Sequence, residues 1–423
     1  MGIRHLLKQP PGSDVVAEGW IQDKRPVGDI LFLTVRDQDE EIQLVVRRGE
    51  NPDLWKVADA VPRQSVVRVG GVLRERDGRS EISPNRFEVL GEARHPLPLD
   101  PTGRTPTTLP VVLDARPLSL RMPTVAAIFR IRSILSRFTD EFFHERGFVE
   151  VHSPKIIASA TEGGAELFEA GYFGGKAFLA QSPQLYKEQL MLGFNQVYEL
   201  AQYWRAEKSH TTKHLTEFTS VDVEVAYADY QEVMDLLEDY VRAATSGLRK
   251  VAPREFEVLE TEIPQCDEPF PRLTYDECLD DVVGLGGEMK WGEDLGSDAL
   301  ELLSHRHPSF FFVHDWPTVA KPFYIGRKAE DPERSESFDL MYGKIEIASG
   351  GTRVNDPEEL KRRLVGQGLD PADFEHHLRT FQQGMPPHAG WAVGFDRFLL
   401  VLTRQENIRD VVLYPRDPER LAP

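Results

Sequence analysis

The sequence predicts an α+β protein: a small β-barrel followed by a larger domain with a mostly antiparallel sheet. Three observations carry this expectation. Residues 14 to 92 hold five short β-type runs broken by Gly, Pro and Asp. Prolines then recur at positions 96, 98, 101, 106, 110, 117 and 123. Beyond them, strand candidates and amphipathic helices follow one another without the regular alternation of a parallel βαβ array.

The first five runs are VVAEGWI, DILFLTVRD, EIQLVVR, SVVRVGGVLRE and SEISPNRFEVL, with a helical stretch around Asp53 to Ala60. Five strands and one helix suit a Greek-key barrel with the strand count of an OB-fold, and a small β-sandwich is the alternative. The barrel is assigned to residues 1–94. The proline-rich segment 95–123 reads as a semi-rigid linker, and residues 124–423 as the large domain. That domain opens with Ile128, Ile131, Leu135, Phe138 and Phe142 at helical spacing, ended by Gly147. A second helix starts after Asp229, where Asp229 and Glu232 form a D-x-x-E capping pattern and Val233, Leu237, Tyr240 and Val241 give an apolar face. AFLAQ, QVYELAQYW, SVDVEVAY, FFFVHDWP, KIEIASGG and GWAVGF are the strand candidates.

Composition narrows the class. The 423 residues are 40% hydrophobic and 28% charged, as in soluble globular proteins. No apolar run approaches the ~18 residues that span a bilayer, so no membrane partner is expected. The start, MGIRHLLKQPPGSD, has no secretory pattern. Cys266 and Cys278 are too few for a disulfide framework or a zinc site, so a reducing cytoplasm is the expected location. The net charge of −19 disfavours polyanions, but basic clusters such as Arg74, Arg76 and Arg79 keep RNA open as a partner.

Chemistry concentrates in three segments. YWRAEKSHTTKHLTEFTSVDVEVAY places Arg205, Glu207, His210, Lys213, His214 and Glu217 in a hairpin loop between two strands. Asp222 and Glu224 share one face of the returning strand. A solvated charged loop is the bland alternative. In SFDLMYGKIEIASGGTRVND, Asp339 and Glu346 flank a Tyr-Gly-Lys turn. Carboxylates facing each other across a hairpin need a cation, and hard oxygen ligands suit Mg²⁺. In GMPPHAGWAVGFDRFLL, a glycine-punctuated strand runs into a helix whose first turn carries Arg397, placed to meet an anion. No P-loop pattern occurs, so a nucleotide would be held by arginines and a metal.

These residues carry a resemblance. WRAEKSHTTKHLTEF resembles motif 2, GWAVGFDR motif 3 and GFVEVHSPKI motif 1 of the class II aminoacyl-tRNA synthetases. QSPQLYKEQL, PFY, FDLMYGKIEIASGG, GMPPH and YPRDPERLAP are similar to aspartyl-tRNA synthetases of the archaeal and eukaryotic type. The resemblance covers nearly the whole chain and implies a ligase that joins L-aspartate to tRNA with ATP and Mg²⁺. It implies catalytic roles for Arg205, Glu346 and Arg397. Arg205 would hold the α-phosphate and the substrate carboxylate, His214 the triphosphate, and Phe218 would stack under adenine opposite Arg397. Glu207, Lys213, Leu215 and Gly394 would complete the ATP site. Glu346, Ser349 and Asp339 would hold the metal. Glu162 and Asp222 would receive the substrate ammonium, and Gln184, Lys187, Tyr324, Ser349 and Arg353 the rest. A lysine and an arginine suit a β-carboxylate better than an amide.

On the barrel, FLTVRDQDEEIQ resembles anticodon-binding strands, which implies roles for Phe32 in stacking and for Gln43 and Glu81 at base edges. Core packing is the alternative for Phe32. Motif 1 implies a homodimer, and the partners expected are tRNA, ATP and L-aspartate, not DNA. Lys213, Thr352, Asn355, Ala389 and Ala392 depart from the family pattern. Two other functions stay open: activation of asparagine or another small amino acid, and an inactive RNA-binding paralogue. Retention of Arg205, Glu346 and Arg397 together argues against the second.

Overall fold

A computed structural model describes residues 2–38, 40–158, 167–208 and 211–423. The chain divides into two compact units, Met1–Met122 and Pro123–Pro423.

The first unit is one closed barrel, not a sandwich. Its strands are β1 (Asp14–Val27), β2 (Ile30–Arg36), β3 (Glu41–Arg47), β4 (Val66–Arg76) and β5 (Arg79–Gly91), in the order β1-β2-β3-β5-β4. Side chains alternate across the wall, so Leu31, Leu33 and Val35 of β2 enter the core while Phe32 and Thr34 face outward. The helix Pro52–Ala60 is capped by Asn51, whose side-chain oxygen accepts from the Leu54 N–H at 3.0 Å. The proline-rich segment is not all linker, because it contains two short helices, Leu109–Asp114 and Arg116–Ser119. Pro110 and Pro117 lie in their first turns, where the missing N–H breaks no helical hydrogen bond.

The second unit adds β6 (Val149–Glu150), a small sheet of β7 (Ile156–Ile157), β8 (Glu169–Tyr172) and β9 (Gly175–Leu179), and then β10 (Gln196–Trp204) and β11 (Glu217–Ala226). They are followed by β12 (Arg272–Thr274), β13 (Phe310–His314), β14 (Ser337–Tyr342), β15 (Ile345–Thr352) and β16 (His388–Gly394). The large sheet runs β12-β13-β14-β15-β16-β11-β10-β6, and only its two end pairs are parallel.

One face of this sheet is dry. The helices Pro123–Glu145 and Tyr230–Val251 lay Ile131, Leu135, Phe143, Leu237 and Tyr240 against Val221, Val223, Trp391 and Val393. Phe143 stacks on Tyr198 with centroids 4.7 Å apart, and Tyr240 stacks on Trp391 at 5.9 Å. The expected capping box is formed, with the Asp229 carboxylate accepting from the Gln231 and Glu232 N–H groups. Because β-strand side chains alternate, Ser220, Asp222 and Glu224 of β11 leave through the other face. Among the described residues no helix is long and apolar enough to cross a membrane.

Candidate active site

The polar face of β11, β15 and β16 forms the floor of a cleft of about 360 Å³. One end is lined by the loop between β10 and β11. Arg205 leaves β10 with its N–H on the Thr216 carbonyl at 3.0 Å, and its guanidinium lies 5.4 Å from the Phe218 ring centre. Glu207, Lys213, His214 and Leu215 line the same end. The C-terminal segment pins this loop: the Thr216 N–H donates to the Arg416 carbonyl at 2.8 Å, and the Ile408 N–H to the Thr212 carbonyl at 2.9 Å. His210 lies outside the described residues.

Across the cleft, Gly394 ends β16 and Arg397 sits in the first turn of the helix Phe395–Leu402. Arg397 Nη1 donates to the Glu346 carbonyl at 3.1 Å and lies 3.7 Å from Glu346 Oε1. Its neighbour Asp396 is buried, accepting from Arg132 and from the Thr219 N–H at 2.8 Å, which fixes the start of the helix. Burial and then the Arg397 charge push the His214 imidazole down. Burial, Lys344 and Arg397 do the same to Lys213. Partly buried cations gathered in this way suit an anion, which would relieve both the lost water and the like charges.

The acid pair differs from its expected geometry. In the β14–β15 register Glu346 faces Met341 next to the turn, and beyond a shift between Leu340 and Met341 Asp339 faces Ser349. The two carboxylates are therefore offset along the hairpin, not opposite each other. Asp339 is buried. Its Oδ2 accepts from Lys321 Nζ at 2.7 Å, and its Oδ1 has no hydrogen-bond partner. Glu346 and Ser349 line the cleft. Although about half of the Glu346 side chain (49%) still meets solvent, the cleft walls strip water from its carboxyl, and this and the Asp339 charge push it up.

Two carboxylates, one of them with an orphaned buried oxygen, and a hydroxyl fit Mg²⁺, and a raised carboxyl is what a cation would relieve. Among the described residues no group of three or more His, Cys, Asp or Glu could hold a metal. The donor set therefore suits a metal that arrives with phosphates better than one held in an all-protein cage.

The other end of the cleft holds a buried charge network. Lys187, expected in the pocket, is not among its lining residues; the helix Gln184–Gln189 turns it inward, only 3% exposed. Its ammonium is 3.2 Å from Asp222 Oδ1 and 3.5 Å from Glu224 Oε2. Asp222 does line the cleft, and its Oδ2 accepts from Ser220 Oγ at 2.7 Å. Burial raises the Asp222 carboxyl, with Lys187 and Ser220 opposing it. Glu224 accepts two bonds from Arg353, from Nε at 2.9 Å and Nη2 at 3.1 Å. Burial alone would lower the Arg353 guanidinium, but the Glu224 charge and hydrogen bonds raise it. Arg353, Gln184 and Tyr324 border the cleft. A Cβ on Gly390 would stand 2.2 Å from Glu224 Oε2 and 2.2 Å from the Val223 carbonyl, so only glycine lets the strands close around the network. Glu162 lies outside the described residues.

Sequence reasoning passed over Lys321, Glu188 and His377. Two of the three adjoin quoted motifs: Lys321 precedes PFY and Glu188 lies in QSPQLYKEQL. Of the departures, Thr352 Oγ1 accepts from the Tyr230 N–H at 2.9 Å, a bond to the start of a helix. Ala389 is buried opposite Thr352, Ala392 lies between Asp222 and Ser349 on the cleft floor, and Asn355 is exposed.

On the barrel, Phe32 lies outside the core cluster and is half-buried on the outer wall, with the Arg25 guanidinium 5.3 Å from its ring centre. Thr34 pairs with Gln43 and Gln43 with Glu81, so the three expected residues share one wall. Gln43 Nε2 reaches Glu81 Oε2 at 3.5 Å.

Known proteins give the same picture. A family model described as tRNA synthetases class II (D, K and N) matches residues 109–418, and one described as an OB-fold nucleic acid binding domain matches residues 15–90. The chain is 43% identical over 418 residues to an aspartate–tRNA(Asp/Asn) ligase of Methanopyrus kandleri, covering 97% of this chain and 96% of that one. It is 42% identical over 429 residues to an aspartate–tRNA(Asp) ligase of Pyrococcus furiosus, covering 99% and 98%. Among solved structures it is similar to an asparaginyl-tRNA synthetase from Pyrococcus horikoshii complexed with asparaginyl-adenylate. That likeness has a TM-score of 0.93, 31% identity, and coverage of 98% of this chain and 97% of that one. With the cleft, the barrel and these matches in agreement, the chain belongs to the class II tRNA synthetases of the D, K and N group.

Proposed function

We propose that this protein activates L-aspartate with ATP and transfers the aspartyl group to the 3′ end of tRNA(Asp). The observation that carries the choice of aspartate is Arg353, a buried guanidinium bordering the cleft. Glu224 uses two of its five N–H groups. The rest of the fork suits a second carboxylate, which an amide would satisfy poorly.

In this reading the α-carboxylate of aspartate attacks the α-phosphorus of ATP. A P–O bond forms, the bond to the β-phosphate oxygen breaks, and pyrophosphate leaves. Arg205 holds both reacting anions, which brings them together in line and offsets the charge that grows on the phosphate oxygens. Lys213 and His214 face the departing phosphates. Adenine lies between Phe218 and Arg397, with Glu207, Leu215 and Gly394 around it. Asp222, Gln184 and Glu162 take the ammonium, and Tyr324, Ser349 and Arg353 the remaining groups. Lys187 acts from behind, placing a buried positive charge beside Asp222 and Glu224. Mg²⁺ entering with ATP would be held by Glu346, Ser349 and Asp339, and would supply positive charge to the phosphates. A ribose hydroxyl of the tRNA end then attacks the aspartyl carbonyl, and AMP leaves with the bonding pair.

Phe32, Gln43 and Glu81 form the anticodon-reading wall, with Phe32 as the stacking surface. The resemblance to motif 1 supports a homodimer: β6 is a two-residue edge strand whose Val149 is exposed in the single chain, as is Ile156 of β7. A stable, fully active monomer in sedimentation at micromolar concentration would contradict it. Two free, buried cysteines fit a reducing cytoplasm.

Asparagine activation is the second reading, favoured by the likeness to asparaginyl-tRNA synthetase structures. Labelled aspartate and asparagine, offered with tRNA(Asp) and with tRNA(Asn) transcripts, separate the readings. Aspartyl-tRNA(Asp) is the expected product. Aspartate on both transcripts would widen the acceptor range, whereas asparagine as the only amino acid joined would replace the proposal.

A further inference from the structure

Behind the amino-acid end of the cleft lies a buried acid that the chemistry above does not use. Glu188 is 0% exposed, at the end of the helix that begins with Gln184. Its Oε1 accepts from Gln184 Nε2. Its Oε2 is 3.2 Å from His377 Nε2, an electrostatic contact off the hydrogen-bond line. Gln189 Nε2 approaches His377 Nδ1 at 3.4 Å from the other side of the ring.

A glutamine amide has a donor end and an acceptor end, and which end faces a ligand depends on its other partner. An ionised carboxylate only accepts. Glu188 therefore takes the NH₂ of Gln184 and turns its carbonyl oxygen the other way, and Gln184 is a lining residue of the cleft. An acceptor there suits a substrate ammonium, and an NH₂ would repel it.

We propose that Glu188 is a positioning residue for the amino-acid substrate, fixing the Gln184 amide so that its carbonyl oxygen meets the substrate ammonium. The inference rests on the reading of this cleft as an amino-acid site. Burial would raise the Glu188 carboxyl, but His377, His388 and Arg353 outweigh burial and hold it below the usual carboxylate range. Glu188 thus stays acceptor-only at neutral pH. A glutamine in its place could donate or accept, and Gln184 would lose its reason to face one way.

The test compares aspartate with succinate, which carries both carboxylates and no ammonium. Glu188→Gln should raise the aspartate KM in ATP–pyrophosphate exchange about 10-fold, the scale of one hydrogen bond to a charged group. The ATP KM and the inhibition constant of succinate should stay within about 2-fold. The double variant Gln184→Glu with Glu188→Gln should recover most of the aspartate affinity, because either carboxylate oxygen at position 184 then accepts and the amide introduced at position 188 donates. If Glu188→Gln weakens succinate as much as aspartate, or changes neither, Glu188 only packs and the proposal fails. If the double variant melts early, the aspartate-to-succinate split in the single variant decides alone. A wild type that exchanges with no amino acid overturns the functional reading itself, and this inference with it.

Discussion

The two ends of the cleft handle charge in opposite ways. At the nucleotide end Lys213, His214 and Arg397 line the cleft, and burial together with the neighbouring cations pushes Lys213 and His214 down. At the amino-acid end Lys187 and Arg353 are buried and already compensated by Asp222 and Glu224. The first end is built to be completed by a polyanion that brings its own metal. The second has its buried charges paired before the substrate arrives and so can discriminate by geometry, because any ligand must fit a fixed pattern of donors and acceptors. On the proposed reading, binding strength is concentrated at one end and selectivity at the other.

This contrast breaks most visibly at Lys187. Lys187→Leu takes from the buried Asp222 carboxylate its paired cation, while Glu224 keeps Arg353, a cost of about 3 to 5 kcal/mol. Thermal unfolding should fall sharply, and activity with every amino acid should fall with it. If aspartate use alone is lost in a chain of normal stability, Lys187 touches the substrate directly.

Open-end residues should behave differently. Arg397→Ala and Glu346→Ala should each cost about 10²- to 10³-fold in adenylate formation, the effect of losing one preorganised charge contact. Melting temperature and tRNA binding should stay nearly unchanged. Near-normal exchange in either variant would remove these residues from the ATP site.

A smaller effect is expected away from the cleft. Phe32→Ala should weaken tRNA binding by about 1 to 3 kcal/mol, the value of one base stack, with no change in pyrophosphate exchange. Unchanged tRNA affinity would make this wall a bystander.

The smallest effect concerns pH. The Glu188 carboxyl is held below its ordinary value in the folded chain. Its contribution to stability is therefore full above the unfolded value and is lost as pH falls through the folded one. Melting curves on the acid side should be steeper for the wild type than for Glu188→Gln, and parallel curves would contradict that sign.

Much of this architecture was legible because it is local. Alternation wrote the barrel strands, so Phe32 could be placed on β2 from its neighbours, though only the folded wall showed that it faces out. Helical spacing and the Asp229 capping box wrote the two core helices. The lining of the nucleotide end was readable because Arg205, His214 and Phe218 sit in one segment. The Lys187–Glu224–Arg353 network was not, since it forms only when three distant segments meet around Gly390. The offset of Glu346 from Asp339 was hidden because the tight turn, which pairs Tyr342 with Ile345, sets the register and so puts Glu346 opposite Met341. Pro110 and Pro117 masked two helices because a proline in a first turn looks, in sequence, like a breaker.

The most direct test is ATP–pyrophosphate exchange by the wild type with each of the twenty amino acids. Aspartate should support it best, and asparagine should lag in kcat/KM by about 10²-fold or more, the scale on which a carboxylate-matched site rejects a neutral analogue. Exchange that is as fast with asparagine as with aspartate would contradict the assignment of Arg353 to the β-carboxylate and the function built on it.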